Sequence, residues 1–250
     1  MSGHSKWSQI KHKKGSSDQK KGQLFSRLSK KISIAVRDGL DPDTNYKLQA
    51  IINEAKAVNM PKDNIDRAIK KAGDKNNSDL KEVVIQAIGP GSIAIIIEAV
   101  SDNSNRTIGD IKNILTKKGA KLAETNSLDW MFDRKGVTTI EPSDNTAPRA
   151  SAVSNSLSES DELGLIEAGA EDIKIEDGQI IIVSPPETLG DIRKKAEELG
   201  FVIEHSRFSF VPKNKVTITN AETRRGLEKL FEELYGHDDV EDIYSNLENL

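Results

Sequence analysis

Residues 82–100 read EVVIQAIGPGSIAIIIEAV, and this stretch decides the fold. Two apolar runs, residues 83–88 and 93–100, flank Gly89-Pro90-Gly91-Ser92. Glycine and proline between two such runs favour a tight turn, so the stretch predicts a β-hairpin. The second run is apolar almost throughout, which is typical of a strand in the centre of a sheet. We therefore expect a sheet-containing domain built around this hairpin.

The segments before the hairpin have helical spacing. Apolar side chains recur every three or four residues over 17–39, with Ser17 suited to the N-cap and Gly39 to the C-cap. A second helix is predicted after Asp41-Pro42-Asp43, ending near residue 58, and a third from Pro61 to Gly73. These helices predict a three-helix unit, closed by the polar linker 74–79.

The segments after the hairpin predict two α/β sandwiches. A helix capped by Asn105 and a strand at 127–132 give the first one a ββαβ start. The second has the order βαββαβ, which is the ferredoxin-like signature. Its predicted elements are strand 137–140, helix 161–168, strands 173–176 and 179–183, helix 187–199 and strand 201–211.

A helix at 221–234 and a strand at 240–244 are too little to form a domain, so we assign them to the first sandwich. The prediction is an α+β protein with an N-terminal three-helix domain and two ferredoxin-like α/β sandwiches, the third domain inserted into the second. The domains are 1–79 (with a basic arm), 80–134 plus 212–250, and 135–211. Residues 143–160, rich in Ser, Asn, Ala and Pro, predict a flexible loop.

Charge is strongly segregated along the chain. Residues 1–75 hold 17 Lys/Arg and 8 Asp/Glu, whereas the other 175 residues hold 19 Lys/Arg and 32 Asp/Glu. A net charge of −4 therefore conceals a basic module on an acidic body. Because the local field steers association, this pattern indicates a polyanionic partner for the N-terminal part.

Catalytic and metal-binding patterns are missing from the sequence. There is no cysteine, and the four histidines do not have metal-ligand spacing with carboxylates. The pairs Glu197-Glu198 and Asp238-Asp239 indicate surface or capping charge rather than acid–base chemistry. No signal peptide or membrane-spanning run is apparent. We expect a soluble, cytoplasmic monomer that is no enzyme and has no cofactor, metal, membrane or small-molecule partner.

The first 31 residues are the candidate binding site. They hold nine Lys/Arg against the single acid Asp18. This density suits phosphate neutralisation, and the excess of lysine over arginine favours charge attraction over base readout. A solvated charge run that only aids solubility is the alternative. The predicted nucleic-acid-binding residues are His4, Lys6, Trp7, Lys11, His12, Lys13, Lys14, Lys20, Lys21, Arg27, Lys30 and Lys31.

Two features of this pattern are open. Trp7 could stack on a base or sugar, or it could pack the arm against the helical unit. The acidic C-terminal segments, including Glu241-Asp242 and Glu228, Glu232 and Glu233, could meet a basic protein or screen the arm, although an ordinary solvated face is the expected role.

Several motifs resemble the YebC/PmpR family over essentially the whole chain. In chain order they are Gly3-His4-Ser5-Lys6-Trp7, Ile10-Lys11-His12-Lys13-Lys14, Phe25-Ser26-Arg27, Asp41-Pro42, Asn59-Met60-Pro61-Lys62-Asp63-Asn64-Ile65, Ala68-Ile69-Lys70-Lys71, Gly89-Pro90-Gly91, Asp102-Asn103, Asn105-Arg106-Thr107, Trp130-Met131-Phe132 and Glu167-Ala168-Gly169-Ala170-Glu171-Asp172.

The resemblance implies a helical domain followed by two α/β domains. Family members are described as probable DNA-binding transcriptional regulators. Relatives that include the mitochondrial translational activator of cytochrome c oxidase are linked to ribosomes, so ribosomal RNA is the alternative partner. The chain departs from the family pattern at Tyr46-Lys47-Leu48-Gln49, where arginines are frequent, which implies a weaker phosphate contact on the second helix.

Overall fold

The computed structural model describes residues 18–73, 80–142, 157–176 and 179–248. They form three helices followed by two four-stranded sheets with helices, so the predicted α+β class is confirmed. The chain divides into two compact units, one of Met1–Phe132 with Pro212–Leu250 and one of Asp133–Val211. The helical domain belongs to the first of these units. No helix within the described ranges is long and apolar enough to cross a bilayer.

The helical domain contains α1 (Asp18–Ala35), α2 (Tyr46–Ala57) and α3 (Lys62–Gly73). Predicted apolar positions such as Leu28, Ile32 and Leu48 are buried between the helices. The predicted N-cap Ser17 lies outside the described residues. Helix α1 continues into a 3-10 turn, and Gly39 with φ 146° ends that turn.

Asn45 joins the end of α1 to the start of α2. Its side-chain oxygen accepts from the N–H of Leu48, and its amide donates to the carbonyls of Ala35 and Gly39, both at 2.7 Å. The side chain therefore caps one helix and satisfies carbonyls that follow the other.

The hairpin forms as the sequence predicts. Strands β1 (Lys81–Gly89) and β2 (Ile93–Ser101) pair antiparallel with Ile85 opposite Ile97. Gly91 takes φ 73° in the turn, a conformation that suits glycine.

The remaining elements of this sheet come from two distant parts of the chain. The strand order is β3 (Lys121–Leu122), β1, β2 and β8 (Val240–Ser245). Strand β8 is antiparallel to β2, so the insertion of the third domain into the second is confirmed. The helices that follow β2 and precede β8 bury Leu115 and Leu227 in one core with Ile95 and Ile97. The elements are α4 (Ser104–Lys117), β3 (Lys121–Leu122), α7 (Ala221–Gly236) and β8 (Val240–Ser245).

Two local predictions for this sandwich are wrong. Asn103, not Asn105, caps α4 by accepting from the N–H of Arg106. The predicted strand 127–132 is wrong except for Phe132, which begins the next strand; over residues 127–131 the Gln86 side chain bonds the N–H of Leu128 and the Asp129 carboxylate and holds the segment in a turn. The third strand is the short β3, and the central β1–β2 hairpin gives the sheet a connectivity different from βαββαβ.

The inserted unit has the predicted ferredoxin-like order. Its sheet has the order β5 (Asp172–Glu176), β6 (Gln179–Ser184), β4 (Phe132–Pro142) and β7 (Phe201–Pro212). Strand β6 is antiparallel to both β5 and β4. Ile140, Ile182 and Leu165 lie in its core. The predicted loop 143–160 ends earlier, since Ser158 caps the following helix, and residues 143–156 lie outside the described ranges. The elements are β4 (Phe132–Pro142), α5 (Glu159–Glu167), β5 (Asp172–Glu176), β6 (Gln179–Ser184), α6 (Leu189–Glu198) and β7 (Phe201–Pro212).

Candidate nucleic-acid interface

The predicted site residues fall into three groups. Lys20 and Lys21 belong to helix α1, and Arg27, Lys30 and Lys31 lie further along it. The other predicted residues, His4, Lys6, Trp7, Lys11, His12, Lys13 and Lys14, lie outside the described residues.

Arg27 contacts the end of helix α7. Its guanidinium donates to the carbonyl oxygen of Tyr235 and, at 3.1 Å, to that of His237. Only 6% of the residue is exposed. Carbonyls at the C-terminal end of a helix have no partner within the helix and attract cations, so Arg27 completes the end of α7.

Lys30 lies one turn further along α1 and reaches the segment between α7 and β8. Its ammonium is 2.5 Å from Asp239 Oδ1, 3.0 Å from the Asp238 carbonyl and 3.5 Å from the Val100 carbonyl. An ammonium has three N–H donors, and three acceptors surround this one. The charge predicted to meet phosphate is thus neutralised inside the chain.

Asp239 is the centre of a polar network that sequence reasoning missed. Its second oxygen accepts from the Thr107 hydroxyl at 2.7 Å, and the guanidinium of Arg106 lies 3.5 Å away. The Ser101 hydroxyl lies 2.6 Å from the Thr107 oxygen and donates to it, because the single Thr107 proton goes to the carboxylate. The carboxylate therefore connects α1 to the first turn of α4 and to the end of β2.

The pKa of Asp239 reflects this network. Burial alone would raise it, but the hydrogen bonds from Lys30 and Thr107, with the charges of Lys30 and His237, lower it from 3.8 to about 2. Only 6% of Asp239 is exposed, so of its two predicted roles, surface charge or capping charge, the first is wrong. The carboxylate is a buried anion with dedicated partners.

Lys31 is surrounded by carboxylates from two parts of the first unit. Its ammonium lies 3.7 Å from Glu54 on α2, 3.7 Å from Glu241 and 3.8 Å from Asp242 on β8. Glu241 and Asp242 are buried, so the solvated face expected for them is wrong. Acidic strand β8 meets the basic helix α1 of the same chain.

Other cations of the helical domain face solvent. Lys62, Arg67 and Lys70 are exposed along α3. Within the described ranges, no cluster of three or more His, Asp or Glu side chains is placed to hold a metal ion.

A basic three-helix domain is followed by an α/β sandwich, which a ferredoxin-like domain interrupts in the sequence. This three-domain α+β arrangement defines the class of protein. Residues 5–75 match the family described as TACO1/YebC protein N-terminal domain, and residues 80–247 match TACO1/YebC second and third domain. The chain belongs to the TACO1/YebC family.

Relatives and a solved structure agree with this assignment. A probable transcriptional regulatory protein of Caldanaerobacter subterraneus is 39% identical, covering 99% of this chain and 98% of the relative. One of Halothermothrix orenii is 40% identical, covering 99% and 95%. The crystal structure of a conserved hypothetical protein from Aquifex aeolicus has a TM-score of 0.81 at 33% identity, covering 93% of this chain and 92% of that one.

Proposed function

We propose that this protein is a nucleic-acid-binding regulator of gene expression, and specifically a DNA-binding transcriptional regulator that uses its lysine-rich N-terminal arm and the start of helix α1. The observation that carries the proposal is the confinement of nine Lys/Arg, against one acid, to residues 1–31 of a chain with net charge −4. The names of the relatives, probable transcriptional regulatory proteins, support the regulatory role. The protein acts by binding, without catalysis or a cofactor, and as a monomer.

The geometry narrows the contact surface within this proposal. Arg27, Lys30 and Lys31 are surrounded by acceptors of their own chain, so they are poor candidates for phosphate contacts. Phosphate binding is assigned to the residues that precede them in the sequence: His4, Lys6, Trp7, Lys11, His12, Lys13, Lys14, Lys20 and Lys21. Lysine acts as a point charge, and the proposed binding is therefore tolerant of base sequence.

The test measures affinity for a random-sequence duplex over a range of salt concentrations. Replacing Lys11, Lys13 and Lys14 with Ala is expected to weaken binding and to lower the log–log salt slope by about 0.9 for each lost phosphate contact.

The matched control replaces three exposed lysines outside the arm, Lys117, Lys194 and Lys229, with Ala. This variant loses the same formal charge and should keep the salt slope of the wild type. An unchanged slope in the arm variant, or an equal loss in the control, would remove the arm from the proposal.

A ribosome-associated translation factor that binds ribosomal RNA and relieves stalled translation is the second candidate. It is favoured by the eight-to-one excess of lysine over arginine in residues 1–31, because shape-directed RNA binding needs no bidentate base readout. Labelled protein is offered purified ribosomes and random duplex DNA at equal phosphate concentration and near-physiological salt. Capture by ribosomes would favour translation, and retention on DNA would favour transcription.

A further inference from the structure

The contact between helix α1 and the segment from Tyr235 to Asp239 is built from specific, mostly half-buried bonds. Arg27 binds two backbone carbonyls there, and Lys30 binds a third carbonyl and the Asp239 carboxylate. The partners are more than 200 residues apart in sequence. Such a contact fixes a helix in one place, because both cations point at acceptors that the backbone positions.

Asp239 links the Lys30 contact to residues of the α/β domain. It accepts from Lys30 with one oxygen and from Thr107 with the other, and Thr107 also bonds Ser101. Moving Lys30 away would take the nearest cation from a buried carboxylate, which is destabilising even though Arg106 stays 3.5 Å from its other oxygen. Release of Lys30 to a phosphate is therefore unfavourable compared with use of an exposed lysine.

The place of α1 in the chain gives this contact a consequence for binding. The candidate arm, residues 1–15, precedes α1 in the sequence, and Lys20 and Lys21 lie in the first turn of the helix. A fixed helix holds the backbone of its first turn, which carries Lys20 and Lys21, in one place. Binding elements that are held in place before association lose less conformational freedom when the partner arrives.

We propose that Arg27, Lys30 and Asp239 are positioning residues for nucleic-acid binding: they touch no phosphate, and they anchor α1, the helix whose first turn carries Lys20 and Lys21. The inference rests on the proposed function. It assigns the three residues, two of which the sequence placed among the phosphate contacts, a role that acts through helix α1.

The experiment is a double-mutant cycle in the full-length chain with Lys30→Met, Asp239→Asn and the pair together. Each protein is titrated with a random-sequence duplex at several salt concentrations, after circular dichroism has shown that it is folded. Each single variant is expected to bind about tenfold more weakly, as when preorganisation of a binding element is lost, with an unchanged salt slope. The double variant should be no weaker than the weaker single variant, because both changes break the same contact.

Other outcomes overturn the inference. A slope lowered by about 0.9 in Lys30→Met would mean that Lys30 contacts a phosphate. Tighter binding by Asp239→Asn would mean that Asp239 competes with nucleic acid for Lys30. Unchanged affinity in both singles would leave the contact with a role in folding alone.

Two further proteins keep the result interpretable. Thr107→Val removes one hydrogen bond to Asp239 without touching α1, so it should lower affinity in the same direction, by a smaller factor, even where Lys30→Met does not fold. Lys20→Met, a predicted phosphate contact, should lower the slope. If the wild type shows no salt-dependent binding to the duplex, the proposed function fails. If the wild type binds but the variants do not show the expected affinities and salt slopes, only the positioning role is excluded.

Discussion

At the scale of single residues, lysines of the same helical domain differ in their surroundings. Lys30 is enclosed by three acceptors, whereas Lys62 and Lys70 on α3 are exposed. The composition does not distinguish these lysines, because the electrostatic potential at each one is set by its neighbours in space. The electrostatics of the first unit therefore depend on Asp239 as much as on the arm.

The low pKa of Asp239 makes stability depend on pH. Its folded-state pKa of about 2 lies below the ordinary 3.8, so its stabilising contribution is present above pH 4 and is lost as pH falls toward 2. We expect the wild type to lose about 2 kcal/mol more unfolding free energy than Asp239→Asn over this range. Urea unfolding of both proteins at pH 5, 4, 3 and 2 measures the difference, and parallel curves would contradict it.

Gly91 is the residue on which the hairpin turn depends. With φ 73°, alanine there would be strained, and its Cβ would lie 2.5 Å from Ile218 Cδ1. Gly91→Ala should lower the unfolding free energy by about 1–2 kcal/mol. Gly109→Ala on α4, where nothing lies within 4 Å, should be neutral or stabilising by up to about 1 kcal/mol. Equal effects in thermal unfolding would contradict the backbone explanation.

At the scale of helices and strands, periodicity predicts the interior of an element, whereas contacts with distant side chains set where the element begins and ends. Periodicity predicted α1, α2 and α3 correctly, because their buried faces repeat every three or four residues. It failed at residues 127–132, where the Gln86 side chain, not the local pattern, sets the backbone. An apolar run without its partner strand does not distinguish a strand from a turn.

A substitution at Asn45 measures how much the contacts at one helix end contribute to stability. Asn45→Ala removes the α2 cap and the side-chain donor to the carbonyls of Ala35 and Gly39. We expect a loss of about 2–3 kcal/mol in chemical unfolding. Asn53→Ala, on the exposed side of α2, is the control and should change stability by less than about 0.5 kcal/mol. Similar losses in both variants would mean that the hydrogen bonds of Asn45 contribute no more to stability than those of a surface residue.

At the scale of the whole molecule, the inserted unit enters and leaves the first unit at neighbouring points. The N–H of Lys213 donates to the carbonyl of Met131 at 3.0 Å, so the two ends of Asp133–Val211 meet. Each unit has its own buried core. An insertion joined at adjacent points can be removed without separating β2 from β8.

Replacing residues 133–211 with a short Gly-Ser turn should therefore leave the first unit folded. If the arm carries nucleic-acid binding, duplex affinity should stay within about threefold of the wild type, a difference below about 1 kcal/mol. Circular dichroism and DNA titration at matched salt check the two expectations. A folded first unit that no longer binds would place part of the binding surface in the insert.

The sequence by itself determined the three helices, the hairpin at residues 82–100, the inserted domain and the basic N-terminal part. Each of these has a local signal, such as period, turn residues or charge density, that survives without the fold. Only the tertiary structure decided that Arg27 and Lys30 are bound internally and that Asp239 is the buried partner of Lys30. The bonded residues are about 210 positions apart. The sequence around a charged residue does not indicate which distant charge folding will bring within 3 Å of it.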